Sequence, residues 1–462
     1  MIYDIVIIGS GPGGYVAALH AAHNGLRVAV VEREHLGGVC LNWGCIPTKA
    51  LLQSAHACDA IRGAADFGIR LGPIEVDMER VVARSREVAG NMSKGVKFLL
   101  DRAKVEVVEG VASLLSPTEV RVLAADGSER ILKARDTIVA TGARARELPS
   151  LPLDGERIIA YREALSLGYR PDSMAIVGSG AIGCEMAEFY AALGTSITLI
   201  EAQDQLMPLV DGDVASVVGR VFRRKKVKTM TSAAVLGVEV SPEGCRLRIE
   251  TKKGVEELEV QVVLSAVGIQ PNTEDLGLEA LGVEMDRGRI VTSLGGATNV
   301  EHLYAIGDVC TTPALAHVAS VEGAMAVDAI LGRELDARRM ANIPSCTYTT
   351  PEVASVGLTE RQLQERGVEY FVGKFPFTAS GKATAMGQRD GFVKLLFRSD
   401  SRALVGAHII GANATELIGE LCLALRHGST PRAIYGTMHA HPTLGECVME
   451  AAAQADGVAH HV

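Results

Sequence analysis

Apolar runs of strand length recur along the chain, and two of them open the same longer pattern. Residues 4–32 read DIVIIGSGPGGYVAALHAAHNGLRVAVVE, and residues 173–201 align with them without a gap at an offset of 169. Each stretch has an apolar run, a glycine-rich turn, a helix-like pattern ending near Gly25 or Gly194, and a second apolar run. This order predicts a strand, a helix and a second strand, present twice as a parallel βαβ unit.

Further apolar runs predict the strands that complete two sheets, followed by a region of different character. In TIVATGA (137–143) and VLSAVG (263–268) a glycine follows the apolar run, as expected of returning strands, and LYAIGDV (303–309) precedes a predicted helix. From about residue 343, the runs TYTTPEVASVG, FVKLLF and LVGAHIIG alternate like antiparallel strands. The helices predicted in these regions are 315–332, 414–427 and 443–455. The pattern predicts an α/β architecture with a separate α+β domain after residue 343.

Both βαβ copies carry GxGxxG between strand and helix, with an acidic residue 23 positions after the first glycine. The three glycines respectively permit a tight turn, a close approach of the backbone to a pyrophosphate, and close packing of helix on strand. The predicted nucleotide-binding residues are Gly9, Gly11, Gly14 and Glu32 in the first copy and Gly178, Gly180, Gly183 and Glu201 in the second. The alternative is a strand-to-helix turn that binds nothing, which two matching copies disfavour.

The acidic residue of each copy predicts which nucleotide is bound. The pyrophosphate would face a helix N-terminus, where N–H groups and the helix dipole favour negative charge. Glu32 and Glu201 are placed to accept hydrogen bonds from ribose hydroxyls. Because a carboxylate at Glu201 would repel a 2′-phosphate, the second site is predicted to take NAD rather than NADP.

Composition excludes several other classes of protein. The chain of 462 residues is long enough for two to four domains, and its net charge of −9 disfavours nucleic acid as the main partner. The one basic run, RRKKVK at 223–228, is expected to be a solvated helix end. No apolar run is as long as a membrane span, and residue 2 leads directly into a strand-like run. We expect a cytoplasmic protein, or a matrix protein whose transit peptide has been removed.

Nine cysteines are scattered along the chain, and only Cys40 and Cys45, in GGVCLNWGCIPTK (37–49), are close in sequence. They could be metal ligands, a structural disulfide or a redox pair. Zinc would need a second ligand cluster, which is not found nearby, and a structural disulfide would close a very short loop. A redox pair is favoured because Pro47 suits the first turn of a helix, which places Cys45 just before a helix N-terminus. Lys49, one turn further on, would also favour a thiolate. No metal site is predicted.

His441 and Glu446, in HAHPTLGE (439–446), could form an acid–base pair. Exchange between a dithiol and a disulfide needs a base that takes a proton from the thiol, and imidazole suits this near neutral pH. Glu446 lies five residues on, across a helix start expected at Pro442, where its carboxylate could hold the ring. From spacing alone, ordinary surface residues are the favoured explanation of this histidine and glutamate.

These motifs together resemble the flavoprotein disulfide reductases over essentially the whole chain. The motifs that carry the resemblance are GGVCLNWGCIPTK, the doubled nucleotide motif, ATG, GD and HAHPTLGE, in that family's order. It implies FAD at the first nucleotide site and NAD at the second. It also implies that Cys45 lies nearest the flavin, that Cys40 exchanges with substrate, and that Lys49 pairs with Glu185 near the reactive edge of the flavin.

The same resemblance assigns further residues to the cofactors and to catalysis. Asp308 would bind the ribityl chain, and the backbone around Ala316, at a helix start, would face the pyrimidine end of the ring. The remaining residues matched to the FAD and NAD sites are Ala112 in the EGVA turn, Thr141, Gly142, Val235 and Gly268. His441 and Glu446 become the acid–base pair, which in this family reaches the cysteines of the other subunit of an obligate homodimer.

Within the family, the resemblance is strongest to the members that oxidise protein-bound dihydrolipoamide with NAD+. The expected partners are the lipoyl domains and core acyltransferase of a 2-oxoacid dehydrogenase complex, or the lipoyl carrier protein of glycine cleavage. The alternatives are glutathione-type reductases, which use NADPH, and mercuric reductases, which lack the histidine base. A non-catalytic scaffold would be expected to lack one of the four catalytic residues.

The predicted fold is α/β, with two Rossmann-like dinucleotide-binding domains and a C-terminal α+β dimerisation domain. The predicted domains are 1–147 for FAD, 148–268 for NAD, 269–342 as a central segment completing the FAD site, and 343–462 for dimerisation. Trp43 departs from the family pattern, in which a small residue is common at that position, and it is expected to fill a gap beside the cysteines.

Overall fold

The computed structural model describes residues 2–461 as an alternation of strands and helices. The strands of residues 2–200 are β1 Ile2–Ile8, β2 Val28–Glu32, β3 Glu106–Glu109, β4 Val111–Ser116, β5 Glu119–Leu123, β6 Glu129–Val139, β7 Ala143–Ala145, β8 Ile158–Ile159, β9 Ser173–Val177 and β10 Ser196–Ile200. Those that follow are β11 Lys228–Met230, β12 Ala234–Ser241, β13 Gly244–Thr251, β14 Gly254–Val260, β15 Val262–Ser265, β16 Ile269–Pro271, β17 Met285–Asp286, β18 Arg289–Ile290 and β19 Leu303–Ala305. The last are β20 Ser345–Thr347, β21 Glu352–Gly357, β22 Tyr370–Pro376, β23 Phe392–Arg398 and β24 Leu404–Gly411.

The helices lie between these strands or follow them. They are α1 Pro12–His23, α2 Gly38–Trp43, α3 Cys45–Arg62, α4 Met78–Arg102, α5 Tyr161–Ala164, α6 Ala181–Ala192 and α7 Gly212–Arg224. The later ones are α8 Ala316–Ile330, α9 Glu360–Glu365, α10 Gly381–Ala385, α11 Ala414–Arg426, α12 Pro431–Tyr435 and α13 Glu446–Ala455. Within residues 2–461, no helix is both long enough and apolar enough to cross a lipid bilayer.

The described chain forms two compact units, each made of three segments. The first comprises residues 2–50, 80–146 and 268–340, and the second comprises 51–79, 147–267 and 341–461. The predicted domain boundaries at 147 and 342 lie close to segment ends, but the division into FAD, NAD and dimerisation domains stays a prediction.

The first unit is built on a sheet with the order β3-β2-β1-β6-β5-β4, in which β19 also pairs with β6. Strands β1, β2, β6 and β19 run parallel, so their carboxyl ends share one edge. Both faces of β1 are covered, because Ile5 and Ile7 belong to one core cluster and Val6 and Ile8 to the other. This burial on two faces explains the continuous apolar run of the sequence.

Helices α1 and α8 of this unit pack closely through glycines. A Cβ atom at Gly323 would lie 2.5 Å from the Gly13 carbonyl oxygen, and one at Gly13 would lie 3.1 Å from the Ala319 carbonyl oxygen. Along α1, Gly13 contacts Ala319 and Gly323 of α8, and Ala17, one turn later, contacts Gly323. Later residues of α1 thus contact later residues of α8, so the two helices run in the same direction. Their N-termini therefore come together at the carboxyl edge of the sheet.

The second unit contains a parallel sheet with the order β11-β10-β9-β15-β8 and an antiparallel sheet with the order β20-β21-β24-β23-β22. The antiparallel sheet confirms the predicted change of character after residue 343. Strand β22 was not predicted from the sequence. A Cβ atom at its Gly373 would lie 2.0 Å from the Ala451 carbonyl oxygen, so this glycine lets helix α13 pack directly on the sheet.

A buried lysine joins α7 to the antiparallel sheet within the second unit. The side chain of Lys394 is 1% exposed, and its Nζ lies 2.8 Å from Asp211 Oδ1 and 3.0 Å from Asp213 Oδ2. It also bonds Glu360. The three carboxylates lie close enough together to hold a metal ion, but here they bond the Lys394 ammonium instead.

Candidate active site

Two positions of the first glycine-rich turn require glycine, one for its backbone conformation and one because a side chain would not fit. Gly9 has φ of +101°, and a Cβ atom there would lie 2.3 Å from the Ala140 carbonyl oxygen. A Cβ atom at Gly14 would lie 2.0 Å from the Gly9 carbonyl oxygen, so helix and turn are in direct contact. At Gly11 no heavy atom lies within 4 Å of such a Cβ, which leaves open space in front of the N-terminus of α1.

The second turn repeats this geometry almost atom for atom. Gly178 has φ of +98° and a Cβ position 2.4 Å from the Ala266 carbonyl oxygen, while that of Gly183 is 1.9 Å from the Gly178 carbonyl oxygen. Gly180 again faces open space, before α6. The two aligned stretches therefore share their backbone structure as well as their sequence pattern.

The predicted acidic residues are held in the same way in both copies. Glu32 Oε2 accepts from the Ser10 N–H at 3.0 Å and from the Ser10 hydroxyl at 2.5 Å. Glu201 Oε2 accepts from the Ser179 N–H at 2.9 Å and from the Ser179 hydroxyl at 2.7 Å. Each carboxylate is therefore fixed against its own glycine-rich turn, and the role of the two serines was missed at the sequence level.

Asp308 and Ala316 lie near the paired N-termini of α1 and α8. Ala316 is the first residue of α8, as the sequence predicted, whereas Asp308 lies in a short 3-10 helix, Gly307–Val309, that follows β19. Burial raises the pKa of Asp308, and the nearby Arg289 only partly offsets this. Arg289 donates to the Asp308 carbonyl oxygen at 2.9 Å. The carboxylate itself accepts no hydrogen bond from the described residues, so it can accept one from a ligand.

Thr141 and Gly142 are tied to the segment after β16. The Thr141 hydroxyl donates to the Asn272 carbonyl oxygen at 2.7 Å, and the Asn272 side-chain amide donates to the Thr141 carbonyl oxygen at 2.9 Å. Gly142 has φ of +67°, which favours glycine there. The two segments ATG and QPN are therefore fixed to each other.

Three other predicted cofactor residues lie in less distinctive places. Ala112 is not in a turn as expected. It is buried in β4 opposite Val122, and the preceding turn is at Gly110, with φ of +150°. Val235 lies in β12, packed against the core of the second unit. Gly268 has φ of +111° and open space around its Cβ position.

The cysteine segment lies directly against the first glycine-rich turn. The Gly37 N–H donates to the Ser10 carbonyl oxygen at 3.1 Å and lies 3.2 Å from the Ser10 hydroxyl oxygen. Gly38 has φ of +59°, and a Cβ atom there would lie 2.7 Å from the Cα of Gly11. Glycine at positions 37 and 38 is what lets the segment approach the nucleotide turn so closely.

Cys40 and Cys45 are brought together by a break between two helices. Cys40 lies in α2, Gly44 separates the helices, and a Cβ atom at Gly44 would lie 3.2 Å from the Cα of Cys40. Cys45 is the first residue of α3, so this helix begins one residue earlier than Pro47 led us to expect. The two cysteines are in the reduced form, with Cys45 exposed and Cys40 partly buried.

The two thiols are linked by a hydrogen bond. The Cys40 thiol donates to Cys45, and this bond together with burial raises the pKa of Cys40 despite the nearby Lys49 charge. Cys45 lies at the start of α3, a position that favours a thiolate. We therefore expect the negative charge of the reduced pair to lie on Cys45.

A stack of side chains holds the segment between the cysteines. The Arg86 guanidinium lies 4.4 Å from the centre of the Trp43 ring and donates to the Asn42 carbonyl oxygen at 2.7 Å. The indole N–H of Trp43 donates to Glu34 Oε1 at 3.2 Å. Trp43 thus has a bonding role beyond filling a gap. No local sequence signal links Arg86, which lies in α4, to this segment.

His441 and Glu446 lie together as predicted. His441 Nδ1 is 2.9 Å from Glu446 Oε1, and Glu446 Oε2 accepts from the Thr443 N–H at 2.8 Å. Because the carboxylate accepts at Nδ1, the neutral ring carries its proton there and leaves Nε2 to take up another. The His441 side chain is 80% exposed, so Nε2 is accessible. Helix α13 begins at Glu446, so the expected helix start at Pro442 is wrong.

Neighbouring groups are less suited to act as the base. Both ring nitrogens of His439 are engaged, Nδ1 at 2.8 Å from the Thr437 carbonyl oxygen and Nε2 at 3.0 Å from Glu420 Oε1. Cys447 is fully buried, and burial raises its pKa to about 11, as expected of a packed thiol.

Lys49 and Glu185 occupy different helices. Lys49 lies in the first turns of α3, where its charge acts on Cys40. Glu185 lies in α6, is 4% exposed, and accepts from the Tyr348 N–H at 3.0 Å. The pairing of Lys49 with Glu185 stays a prediction.

Two family models match the chain. Residues 3–323 match the pyridine nucleotide-disulphide oxidoreductase family, and residues 343–452 match the dimerisation domain of the same family. These ranges cover both nucleotide turns, both cysteines and the His–Glu pair.

The chain aligns with individual relatives over nearly its full length. The chain is 47% identical to a dihydrolipoyl dehydrogenase of Chlorobaculum parvum, covering 97% of this chain and 96% of the relative. It is 43% identical to one from Zymomonas mobilis, covering 99% of each. The crystal structure of LpdA from Mycobacterium tuberculosis superposes with a TM-score of 0.91 at 29% identity, covering 97% of this chain and 99% of that one. The chain belongs to the pyridine nucleotide-disulphide oxidoreductase family.

Proposed function

We propose that this protein is a dihydrolipoyl dehydrogenase, which oxidises protein-bound dihydrolipoamide to lipoamide and reduces NAD+ to NADH. The observation that carries the proposal is the Cys40–Cys45 pair, hydrogen bonded and held on a segment that packs against a nucleotide-binding turn. The full-length relatives that bear this name support the choice of substrate.

The residues of the first unit fit FAD. The open space at Gly11 and the paired N-termini of α1 and α8 suit a pyrophosphate and an electron-rich ring edge. The half-buried carboxylate of Asp308, which has no hydrogen-bond donor among the described residues, suits a hydroxyl of the ribityl chain. A ribose hydroxyl at Glu32 would take the place of the Ser10 hydroxyl. When bound, the flavin would accept two electrons from the reduced cysteine pair and pass them on to NAD+ as a hydride.

The second turn fits NAD rather than NADP. Glu201 is buried, and the described donors to its carboxylate are the two groups of Ser179 and the Gln203 N–H. A carboxylate has about four acceptor positions, so one remains for a ribose hydroxyl. A 2′-phosphate at the same place would meet a negative charge, which disfavours a glutathione-type reductase that uses NADPH.

The cysteines exchange electrons with the substrate through sulfur chemistry. A thiolate of dihydrolipoamide attacks Cys40 Sγ in the oxidised enzyme, which forms a mixed disulfide and releases Cys45 as a thiolate. The second substrate thiolate then attacks its partner sulfur in the mixed disulfide, which closes lipoamide and releases Cys40. Two electrons pass from the substrate to the cysteine pair.

His441 manages the protons of these steps. Its Nε2 accepts the proton of the first substrate thiol and passes it to solvent, then accepts the proton of the second thiol and delivers it to the Cys40 sulfur as that sulfur leaves. Glu446 holds the ring through Nδ1 and stabilises the imidazolium. In the homodimer that the dimerisation domain supports, the pair serves the cysteines of the other subunit.

The proposed partners are lipoylated proteins of the cytoplasm. A lipoyl domain of a 2-oxoacid dehydrogenase complex, bound through its core acyltransferase, or the lipoyl carrier protein of glycine cleavage would present the dithiol.

The function is tested by steady-state assays of the purified yellow holoenzyme. We expect NAD+-dependent oxidation of dihydrolipoamide that is abolished in Cys40→Ser and Cys45→Ser, whereas NADH-dependent ferricyanide reduction should remain. Turnover of glutathione disulfide with NADPH, or of mercuric ion, at a higher kcat/KM than dihydrolipoamide would reject the proposal in favour of the corresponding reductase.

A further inference from the structure

Helix α13 holds two histidines in the same manner. Glu446 accepts from Nδ1 of His441 at 2.9 Å and from the Thr443 N–H at 2.8 Å. Four residues later, Glu450 binds Nδ1 of His461 at 2.7 Å and accepts from the His460 N–H at 3.1 Å. The segment that follows the helix thus folds back to give the second glutamate the same two partners, an imidazole and a backbone N–H.

Burial distinguishes the two pairs. The Glu450 side chain is 3% exposed, whereas that of Glu446 is 26% exposed. Residues four apart lie on the same face of a helix, so two carboxylates there repel each other. A buried carboxylate is costly unless it is paired. His461 supplies the partner and places a side chain that is 67% exposed beside the first pair.

The charge of His461 also reaches Glu446. Burial alone would raise the pKa of Glu446, but the Thr443 N–H, the hydrogen bond and charge of His441, and the charge of His461 together lower it. The two pairs are therefore linked electrostatically as well as through the helix that carries them.

We infer that His461 and Glu450 form a second histidine–glutamate pair, which positions the His441–Glu446 pair and sets the charge around it. This rests on the proposed role of His441 as the base. His461 acts through Glu446 and is a positioning residue. When protonated, it adds a positive charge that favours the Glu446 carboxylate and opposes a second positive charge on His441.

Other charged groups of the surrounding elements are already paired. His439 binds Glu420 of α11 at 3.0 Å, and Asp456, just after α13, is bonded to Arg402. The side chain of His460 is exposed, and only its backbone N–H takes part in the arrangement. His460 therefore provides a matched control for His461.

The test compares His461→Asn, His461→Arg and His460→Asn in the holoenzyme. The rate kcat for dihydrolipoamide oxidation is measured against pH. We expect the acid limb of the profile to move up by roughly 0.3–1 pH unit in His461→Asn, with KM unchanged, since one nearby positive charge is lost. His461→Arg keeps the charge and should retain the parent profile, as should His460→Asn.

A second readout does not depend on the substrate. In enzyme labelled with 13C at histidine Cε1, the His441 signal, assigned through a His441→Gln variant, is followed against pH. Its midpoint should rise in His461→Asn and stay in place in His461→Arg. A parent enzyme without dihydrolipoamide turnover would reject the proposed function, while this titration would still decide the inference. Unchanged midpoints in all variants, or equal changes in the Asn and Arg variants, would overturn it.

Discussion

The carboxylate of Glu201 accepts two hydrogen bonds from Ser179, one from the N–H at 2.9 Å and one from the hydroxyl at 2.7 Å. Glu32 and Ser10 repeat this relationship 169 residues earlier. The two carboxylates are thus matched in structure, although one is assigned to NAD and the other to FAD. The same substitution at the two glutamates can therefore be compared, and each variant serves as the control for the other.

We predict that Glu201→Gln lowers the ratio of kcat/KM for NAD+ to kcat/KM for NADP+, whereas Glu32→Gln leaves this ratio unchanged. The substitution at Glu201 removes the charge that repels a 2′-phosphate, so the ratio of the two kcat/KM values should fall roughly tenfold. In Glu32→Gln the ratio should stay constant while flavin is lost more readily on gel filtration. Parent enzyme that uses both coenzymes equally would contradict the assignment of Glu201.

Replacing His441 by Gln should slow dithiol oxidation by about 10²–10⁴-fold, the usual contribution of a general base. The flavin absorbance and NADH–ferricyanide activity should be retained, because neither needs this base. The control is His439→Gln, since both ring nitrogens of His439 are already bonded within the protein. An equal loss of the dithiol oxidation rate in the two variants would contradict the assignment of His441 as the base.

Lys394→Met should destabilise the protein by about 3–5 kcal/mol, because it leaves the buried Asp211 without its counter-charge. The matched control is Lys374→Met. Lys374 bonds Asp213 at 2.8 Å but is 41% exposed, so its removal should cost at most about 1 kcal/mol. Thermal and denaturant unfolding of the two variants at pH 7 measures the difference, and equal losses would contradict the account.

The same cluster predicts a loss of stability in acid. Burial alone would raise the pKa of Asp211, but its bond to Lys394 and the charges of His408 and Lys394 hold the pKa below its ordinary value. A carboxyl group with a lowered pKa contributes stability above its unfolded pKa, about 4, and loses it as the pH falls further. Lys394→Met should therefore show a weaker fall in melting temperature between pH 5 and pH 3 than the parent.

Much of the fold follows from local rules that the sequence displays. Gly9 and Gly178 lie where φ is positive, and Gly14 and Gly183 lie where a Cβ atom would meet a carbonyl oxygen, so their spacing reveals both βαβ units. The helix that begins at Ala316 was likewise predicted within one residue, because an apolar helical pattern follows a polar break.

Other features depend on contacts between distant parts of the chain. Strand β22 contains Gly373, which weakens its strand pattern but is required by the close approach of Ala451. Arg86 is an ordinary helical residue in sequence, and only packing places it over Trp43. The bond between Glu450 and His461 depends on how the segment after α13 folds back, which no spacing rule predicts.

The central claim is that Cys40 and Cys45 form the redox pair, with the thiolate on Cys45. The most direct measurement is an anaerobic titration of the holoenzyme with dihydrolipoamide, followed by absorbance and by mapping of alkylated cysteines. Two electrons per subunit should generate a long-wavelength band from the Cys45 thiolate and new thiols at Cys40 and Cys45. The band should persist in Cys40→Ser and be absent in Cys45→Ser. Bleaching of the flavin without new thiols at these two positions would contradict the account.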